Sequence, residues 1–311
     1  MPQSQSSLKF RIGTRSSKLA RAQTDMVQGL LLGGGADCEV VPIRTSGDRI
    51  LDRPLADAGG KGLFTKELED ALVDGRIDLA VHSMKDVPTT FPDGLGIAAL
   101  LPREDPRDAF LSHKAASLAE LPKGARIGTS SVRRRAQVMR TRPDLEVVLL
   151  RGNVDTRIAK LDAGTLDAIL LAHAGLKRLG LEARATSLLS PEDWLPALGQ
   201  GAVGIEIRND DVRTASLVTP LDDRTTGVAL ACERAFQSAL DGSCRTPIAG
   251  LATFTNGRLV FRGEVLAPDG SDFVATKLDK ALSSNAVGDA ENAGRESGFE
   301  LKPHAARWLV Q

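Results

Sequence analysis

The stretch RIGTSSVRRRAQVMR at residues 126–140 decides the fold class. Its short apolar start predicts a strand, which runs directly into a helix that begins at Ser130 or Ser131. The same alternation continues behind it, with a strand predicted at 147–150, a helix at 154–163 and a strand at 168–171. Strands and helices that alternate in this way predict an α/β fold with a mostly parallel sheet flanked by helices.

The N-terminal part of the chain follows the same pattern. Strands are predicted at 8–12, 40–43 and 77–81, and helices at 18–32 and 62–73. A weak echo links the two halves, because Gly-Arg-Ile-Asp at 75–78 and Gly-Thr-Leu-Asp at 164–167 each precede an apolar run. The spacing behind the two tetrapeptides differs, so a true sequence repeat stays open. Two similar α/β lobes are the better interpretation of the alternation.

The last third of the chain changes character. It predicts a helix, three strands and a closing helix, at 225–240, 248–254, 258–266, 273–277 and 285–296. Asn256-Gly257 separates the first two strands and is a strong hairpin signal, since both turn positions favour positive φ. We therefore expect a small α+β domain with an antiparallel sheet after the two lobes.

Length and composition argue against several classes of protein. A chain of 311 residues suggests two or three domains, and its 40 basic residues balance 40 acidic ones. This balance indicates neither a disordered protein nor a general nucleic-acid binder. The polar start at residues 1–7 lacks the features of a secretory signal, and no apolar stretch approaches the ~18 residues of a membrane span. Three cysteines, odd in number and far apart, favour a reducing compartment, so we expect a cytoplasmic protein.

Positive charge is concentrated between residues 123 and 160. The cations there are Lys123, Arg126, Arg133, Arg134, Arg135, Arg140, Arg142, Arg151, Arg157 and Lys160, opposed only by Asp144, Glu146 and Asp155. Several stand at a predicted helix start or strand end, where free backbone N–H groups and guanidinium groups point together. We interpret the set as a site for small polycarboxylates or phosphates, although a solvated helix face is the favoured interpretation of any single arginine. Nucleic acid is disfavoured by the absence of Tyr and of a recognisable binding motif.

Two loops carry candidate reactive groups. HSMKDVP at 82–88 places Asp86 at a strand end before a proline, where a carboxylate can stabilise a positive charge or transfer a proton. The alternative is that Asp86 pairs with Lys85 or caps a turn. DGSCRTP at 241–247 places Cys244 beside Arg245, where a thiol can be nucleophilic or simply an inert small residue. The four histidines show no metal-ligand spacing, so we expect no metal.

Six runs, in their joint order and spacing, resemble the porphobilinogen deaminase (hydroxymethylbilane synthase) family along nearly the whole chain. They are RIGTRSSKLA at 11–20, GKGLFTKELE at 60–69, HSMKDVP at 82–88, IGTSSVRR at 127–134, LRGNV at 150–154 and LPALGQGA at 195–202. The resemblance implies two related lobes of the periplasmic-binding-protein type and a small α+β C-terminal domain. Domain 1 would span 1–101 plus 200–219, domain 2 would span 102–199, and domain 3 would span 222–311.

The resemblance also implies a transferase that is cytoplasmic and monomeric. It would act in the biosynthesis of porphyrins, that is, of tetrapyrroles such as heme. It would join four molecules of porphobilinogen head to tail with release of ammonia, and hydrolysis would then free the linear tetrapyrrole hydroxymethylbilane. A dipyrromethane cofactor would be attached to Cys244 as a thioether. Loss of ammonia develops positive charge on a pyrrole nitrogen, and Asp86 is the family's candidate for stabilising that charge and for accepting the proton lost on coupling.

Each pyrrole carries an acetate and a propionate, which explains the need for many cations. The resemblance implies cofactor contacts at Lys85, Thr129, Ser131, Arg133 and Arg134, substrate contacts at Arg15, Ser17, Arg151, Arg157, Arg178 and Gln200, and a mobile loop with Lys61 and Phe64. No nucleic acid and no membrane are expected as partners.

Three features depart from the family pattern. Lys18 stands where many relatives have proline, the cysteine loop has Gly-Ser-Cys in place of Gly-Gly-Cys, and Arg135 extends an arginine pair to three. Two other functions stay open on the residues alone. One is a non-catalytic solute-binding protein for a small polyanion, and the other is a regulatory domain that binds an anion and controls a nucleic-acid-binding partner.

Overall fold

Two α/β lobes and a small α+β domain make up the computed structural model, which describes residues 9–49, 62–240 and 246–309. The predicted fold class is thereby confirmed. Each lobe contains a five-stranded sheet, and the C-terminal domain contains a three-stranded one.

Lobe 1 combines the N-terminal elements with one strand and one helix from later in the chain. Its strands are β1 (Phe10–Arg15), β2 (Cys38–Ile43), β3 (Leu79–Ser83), β4 (Leu95–Leu100) and β10 (Val203–Arg208), and its helices are α1 (Lys18–Gly33), α2 (Ser46–Arg49), α3 (Lys66–Val73) and α7 (Val212–Val218). The strand order is β2–β1–β3–β10–β4. The main apolar core lies between this sheet and α1, where Ile12, Val27 and Leu79 are fully buried.

Lobe 2 repeats this arrangement. Its strands are β5 (Asp108–Ser112), β6 (Arg126–Thr129), β7 (Glu146–Leu149), β8 (Ala168–Ala172) and β9 (Ser187–Leu188), and its helices are α4 (Val132–Thr141), α5 (Val154–Asp162) and α6 (His173–Arg178). The order β7–β6–β8–β5–β9 matches that of lobe 1 position by position. Apolar clusters cover both faces of the sheet.

The sheets are mixed, and the prediction of mostly parallel sheets holds for four of the five strands in each, which run in the same direction. Strands β2, β1 and β3 pair in parallel, as do β7, β6 and β8. In contrast, β10 runs antiparallel to β3 and β4, and β5 runs antiparallel to β8 and β9. Both exceptional strands are entered from a segment that passes between the lobes, so no helical crossover within the same lobe forces them to be parallel.

The sequence echo falls at equivalent places in the two lobes. The backbone N–H of Asp78 donates to Arg11 O at 2.9 Å, and the Asp78 carboxylate accepts from Arg11 N at 2.8 Å. Asp167 makes the same pair of bonds to Arg126, at 2.8 Å and 2.6 Å. Each aspartate thus ties the start of one central strand to the neighbouring central strand.

The C-terminal domain packs two helices against an antiparallel sheet. Its elements are α8 (Arg224–Ala239), β11 (Ile248–Thr255), β12 (Arg258–Leu266), β13 (Phe273–Ala281) and α9 (Ala286–Ala305). The predicted hairpin is confirmed, because Asn256 and Gly257 both have positive φ, 51° and 74°. Helix α9 approaches α8 so closely that a Cβ on Gly294 would lie 2.1 Å from Cys232 O, which explains the glycine there. No helix in the described ranges has the length and apolar character needed to cross a bilayer.

Candidate active site

A cavity of about 1030 Å³ lies at the strand ends between the two lobes. The structure brings most of the predicted site residues to its wall: Arg15, Ser17, Phe64, Lys85, Asp86, Ser131, Arg133, Arg134, Arg151, Arg157 and Gln200. These residues are far apart in the sequence, and each stands at a strand end or a helix start. Their common location supports the prediction of one site without testing the role of any single residue.

Four predicted residues do not line the described cavity wall. Thr129 is buried, and its hydroxyl accepts from Ser131 N at 3.1 Å, while Arg178 donates to Gly201 O at 2.6 Å. Lys61 and Cys244 lie outside the described residues. Thr246, two residues beyond Cys244, does line the cavity, so the chain reaches the site directly after the cysteine loop.

Asp86 lies on a short, well-anchored turn. Strand β3 ends at Ser83, and Met84–Asp86 then form one 3₁₀ turn whose first backbone N–H donates to Ala202 O at 3.1 Å. Met84 and Val87 are buried on either side of the turn, so the backbone is fixed while the Asp86 side chain lines the cavity. Across residues 9–49, 62–240 and 246–309, the Asp86 carboxylate takes part in no hydrogen bond or ion pair. The bland interpretation, a carboxylate engaged in a pair or a cap, is therefore not supported.

Lys85 provides a cation beside this carboxylate. Burial lowers the pKa of the Lys85 ammonium to about 8, although the nearby Asp86 carboxylate favours the charged form. The lysine keeps some accessible surface on the cavity side. An ammonium with this environment is ready to gain a carboxylate partner, since such a partner restores its charged form.

Three helices begin at the cavity. Ser17, Ser131 and Asn153 cap α1, α4 and α5, and each side chain accepts a hydrogen bond from a backbone N–H of the first turn. All three cap residues line the cavity. The positive ends of the helix dipoles thus converge on one space, which favours a negatively charged ligand.

The buried carboxylate of Asp108 holds Arg133 and Arg134 in place. This carboxylate accepts from Arg133 at 2.8 Å, Arg134 at 2.7 Å, Trp194 at 2.9 Å and Gln200 at 2.8 Å. Burial alone would raise the pKa of Asp108, but the two guanidinium groups more than offset this and hold it well below its usual range. Sequence reasoning missed this residue. The available signal was a charged residue opening the apolar strand at 108–112.

Arg151 and Arg157 add two further cations to the cavity wall. Arg157 donates from Nε to Gly152 O at 2.8 Å. Burial, together with the charges of Arg134 and Arg151, lowers the pKa of Arg157 to about 10. Burial also lowers the pKa of Arg151. Like charges held this close in a partly buried space are stabilised by a polyanionic ligand.

Arg15 is held in place by Asp48 and Phe64. The sequence did not indicate that these three residues lie together. The Arg15 guanidinium pairs with Asp48 at 2.5 Å and stacks over the ring of Phe64 at 4.0 Å. The close approach of Phe64 requires Gly47, because a Cβ there would lie 2.3 Å from the ring. Asp48 and Phe64 therefore fix the orientation of Arg15 at the cavity wall.

The donor groups on the cavity wall suit the carboxylates of the dipyrromethane that the family resemblance implies. The Nε atoms of Arg133 and Arg134 are buried without a hydrogen-bond partner in the described part of the chain. Arg133, Arg134, Lys85 and Ser131 at the start of α4 all line the cavity, so this part of the wall is rich in hydrogen-bond donors. Carboxylate oxygens are the natural acceptors for such donors.

Comparison with known families and curated relatives gives matches over nearly the whole chain. Residues 10–216 match the family model "Porphobilinogen deaminase, dipyromethane cofactor binding domain", and residues 228–302 match "Porphobilinogen deaminase, C-terminal domain". The chain is 52% identical over 301 residues to a porphobilinogen deaminase of Nitrobacter hamburgensis, covering 94% of this chain and 93% of the relative. It is 53% identical over 284 residues to the one from Paracoccus denitrificans, covering 90% and 91%.

Solved structures give a more distant likeness. A periplasmic substrate-binding protein of an ABC transporter from Coxiella burnetii has a TM-score of 0.44 at 15% identity, covering 70% of this chain and 93% of that chain. A putative methionine-binding lipoprotein from Bacillus subtilis has a TM-score of 0.44 at 13% identity, covering 70% and 92%.

Proposed function

The chain belongs to the porphobilinogen deaminase family and catalyses the hydroxymethylbilane synthase reaction, and on this basis we propose which residues carry the chemistry. The reaction condenses four porphobilinogen molecules head to tail with release of ammonia, and hydrolysis then gives the linear tetrapyrrole. The protein is thus a transferase of tetrapyrrole biosynthesis, and the alternative of a non-catalytic solute-binding protein is not favoured. Asp86 is the proposed catalytic residue.

One observation carries the assignment of Asp86. Of the described carboxylates on the cavity wall, Asp48 is paired with Arg15 and Asp155 with Lys18, whereas Asp86 has neither a hydrogen bond nor an ion pair. When porphobilinogen loses ammonia, positive charge develops on its pyrrole nitrogen, and an unengaged carboxylate on a rigid turn stabilises it without reorganisation. The same oxygen atoms can accept the proton released at the coupling carbon.

The cationic wall binds the acetate and propionate groups. We assign Arg15, Ser17, Arg151, Arg157, Arg178 and Gln200 to the incoming substrate and the growing chain. Arg178 and Gln200 act at the segment between the lobes, where Arg178 donates to Gly201 O. Arg157 and Arg151 gain most, because a carboxylate between them relieves their mutual repulsion.

The cofactor is a dipyrromethane, in line with the name of the matching family domain, and we place its thioether on Cys244. When bound, it supplies the pyrrole terminus on which the chain is extended. Lys85, Thr129, Ser131, Arg133 and Arg134 would hold its carboxylates through the ammonium, the guanidinium Nε–H groups and the start of α4. Lys61 and Phe64 would form part of a mobile loop near the mouth, as the family resemblance implies, and Phe64 supports Arg15.

Three broader assignments complete the proposal. The domains divide at 1–101 with 200–219, 102–199 and 222–311, in keeping with the strands that each sheet contains. The protein acts as a monomer in the cytoplasm. The two described cysteines, Cys38 and Cys232, are buried free thiols, as expected of a reducing compartment.

Replacing Asp86 with Asn tests the central assignment. This variant keeps the size of the side chain and removes its charge, so we expect turnover per cofactor-bearing molecule to fall by ~10²–10⁴-fold with the KM for porphobilinogen little changed. Steady-state kinetics on protein whose cofactor content has been checked by intact mass measures this. Asp93→Asn is the matched control, because Asp93 is exposed on the segment that follows. Near-normal turnover in Asp86→Asn would remove the proposed role.

A further inference from the structure

Arg234 on α8 contacts the segment that follows Asp86. Its guanidinium donates to Pro88 O at 2.6 Å and to Val87 O at 3.3 Å. It also lies over the ring of Phe91, with 5.2 Å between Cζ and the ring centroid. A residue of the C-terminal domain thus binds three residues of lobe 1 just behind the catalytic turn.

This guanidinium is used differently from most buried arginines. Among the described residues it forms no ion pair with a carboxylate, and its hydrogen bonds go to two main-chain carbonyl groups. Burial lowers the pKa of Arg234 to about 10, and the charge of Glu206 opposes this shift. The two bonds to this segment satisfy donors of a half-buried guanidinium.

The segment it holds is anchored near the turn by the buried Val87 and at its far end by Asn209 N, which donates to Gly94 O at 2.8 Å. Residues 87–94 contain no helix or strand, and Pro88 has no backbone N–H to donate. Val87 N donates to Met84 O at 3.3 Å, a long bond that closes the turn. The two bonds from Arg234 add polar restraints directly after the Asp86 turn.

Helix α8 also leads to the anchoring cysteine. Arg234 is less than two turns before Ala239, the last residue of α8, and Cys244 follows five residues later in the sequence. Gln237, one turn after Arg234, lines the cavity. One helix thus contacts the segment after Asp86, lines the cavity and precedes Cys244 in the sequence.

We propose that Arg234 is a positioning residue that fixes the Asp86 turn to the helix leading to Cys244, so that the carboxylate and the anchored chain keep their distance during the reaction. This inference rests on the proposed roles of Asp86 and Cys244. Arg234 acts through the backbone of Val87 and Pro88 and does not touch substrate.

Arg234→Gln removes the charge and the two-pronged donor while keeping a polar side chain. Displacement of a catalytic group by about 1 Å costs up to ~100-fold in rate, so we expect kcat per cofactor-bearing molecule to fall ~10-fold to ~100-fold, with KM within about twofold. Cofactor content by intact mass should equal that of the unmodified protein. Arg234→Lys, with a cation but no planar fork, should fall between the two. Arg224→Gln, an exposed arginine at the start of the same helix, should match the unmodified protein.

The outcomes separate positioning from a merely structural role. If the Arg234 variants lose thermal stability but keep normal kcat per cofactor-bearing molecule, the proposal is wrong. If Arg234→Gln does not fold, Arg234→Lys decides by its kcat alone. A folded Arg234→Lys protein without cofactor would also overturn the proposal, since its defect would lie in the cysteine loop. Failure of the Asp86 assignment is recognised separately, by normal turnover in Asp86→Asn.

Discussion

At the scale of the residue, the site contains charged side chains that lie in partly buried surroundings. Asp86 is a carboxylate without a described partner, and Lys85 is an ammonium deprived of water beside it. Burial lowers the pKa of both Arg151 and Arg157, and the charges of Arg134 and Arg151 lower that of Arg157 further. Each of these groups is better satisfied once a substrate with carboxylates and a developing positive charge is present.

The Lys85 ammonium predicts a defined pH dependence of stability. Its pKa is about 8 in the folded protein against 10.5 ordinarily, so unfolding takes up a proton between these values and the free energy of unfolding rises with pH across that window. In a Cys244→Ser background, Lys85→Met should be more stable at pH 7 by ~1–3 kcal/mol, and this advantage should shrink by pH 10. Denaturant unfolding at the two pH values measures it. A difference that does not change with pH would contradict the assignment. Cofactor-bearing protein should show a smaller advantage, because a bound carboxylate restores the charged lysine.

Sequence reasoning found the residues of the site better than their partners. Asp86, Lys85 and the arginines are recognisable because they stand in quoted runs at strand ends. Asp48, Asp108 and Arg234 were missed, because the significance of each depends on a group distant in sequence that only the fold brings near. Asp108, for example, meets Arg133 across 25 positions and Trp194 across 86.

At the scale of the element, the cationic wall depends on how β5 meets α4. Asp108 is the first residue of β5, and its carboxylate forms ion pairs with Arg133 and Arg134 in the first turn of α4. This junction lets two guanidinium groups stand side by side in a buried place. Their Nε atoms are buried and have no hydrogen-bond partner in the described part of the chain.

Asp108→Asn should destabilise the protein strongly. The amide cannot neutralise two buried guanidinium groups, and leaving buried charges unpaired costs ~3–5 kcal/mol. Chemical denaturation at pH 7 measures the loss. Asp279→Asn is the control, because its exposed pair with Arg258 should contribute no more than ~1 kcal/mol. Since the pKa of Asp108 is lowered on folding, the gap between Asp108→Asn and the unmodified protein should narrow as pH falls through the acid range. A loss equal to that of the control would show that the two arginines do not need this carboxylate.

Most elements could be predicted from periodicity and end signals, whereas the direction of β5 and β10 could not. Helix α1 and strand β12 lie within a residue of their predicted limits, because apolar spacing and glycine ends are local signals. The helix predicted from residue 62 begins instead at Lys66, since Gly62 has a φ of 80° and starts a turn. The antiparallel insertion of β5 and β10 depends on the path between the lobes, for which the local sequence holds no signal.

At the scale of the whole molecule, the three parts meet around one cavity. Lys18 of α1 pairs with Asp155 of α5 at 2.7 Å across the two lobes. Arg103, on the segment between the lobes, pairs with Glu233 of α8 at 2.6 Å. Lobe 1 supplies Asp86, lobe 2 supplies most of the arginines, and the C-terminal domain supplies the helix that leads to Cys244. The family resemblance indicated which part of the chain supplies which residues of the site. The contacts between the parts could be identified only from the structure.

Intact mass spectrometry of the native chain, with and without porphobilinogen, tests the central claim most directly. The unmodified protein should exceed its sequence mass by two linked pyrroles and should then show a ladder of up to four added units. Cys244→Ser should stay at its sequence mass without a ladder. Asp86→Asn should carry the cofactor, but its ladder should not advance. Covalently retained cofactor in Cys244→Ser, or a ladder in Asp86→Asn that advances at the normal rate, would contradict the account.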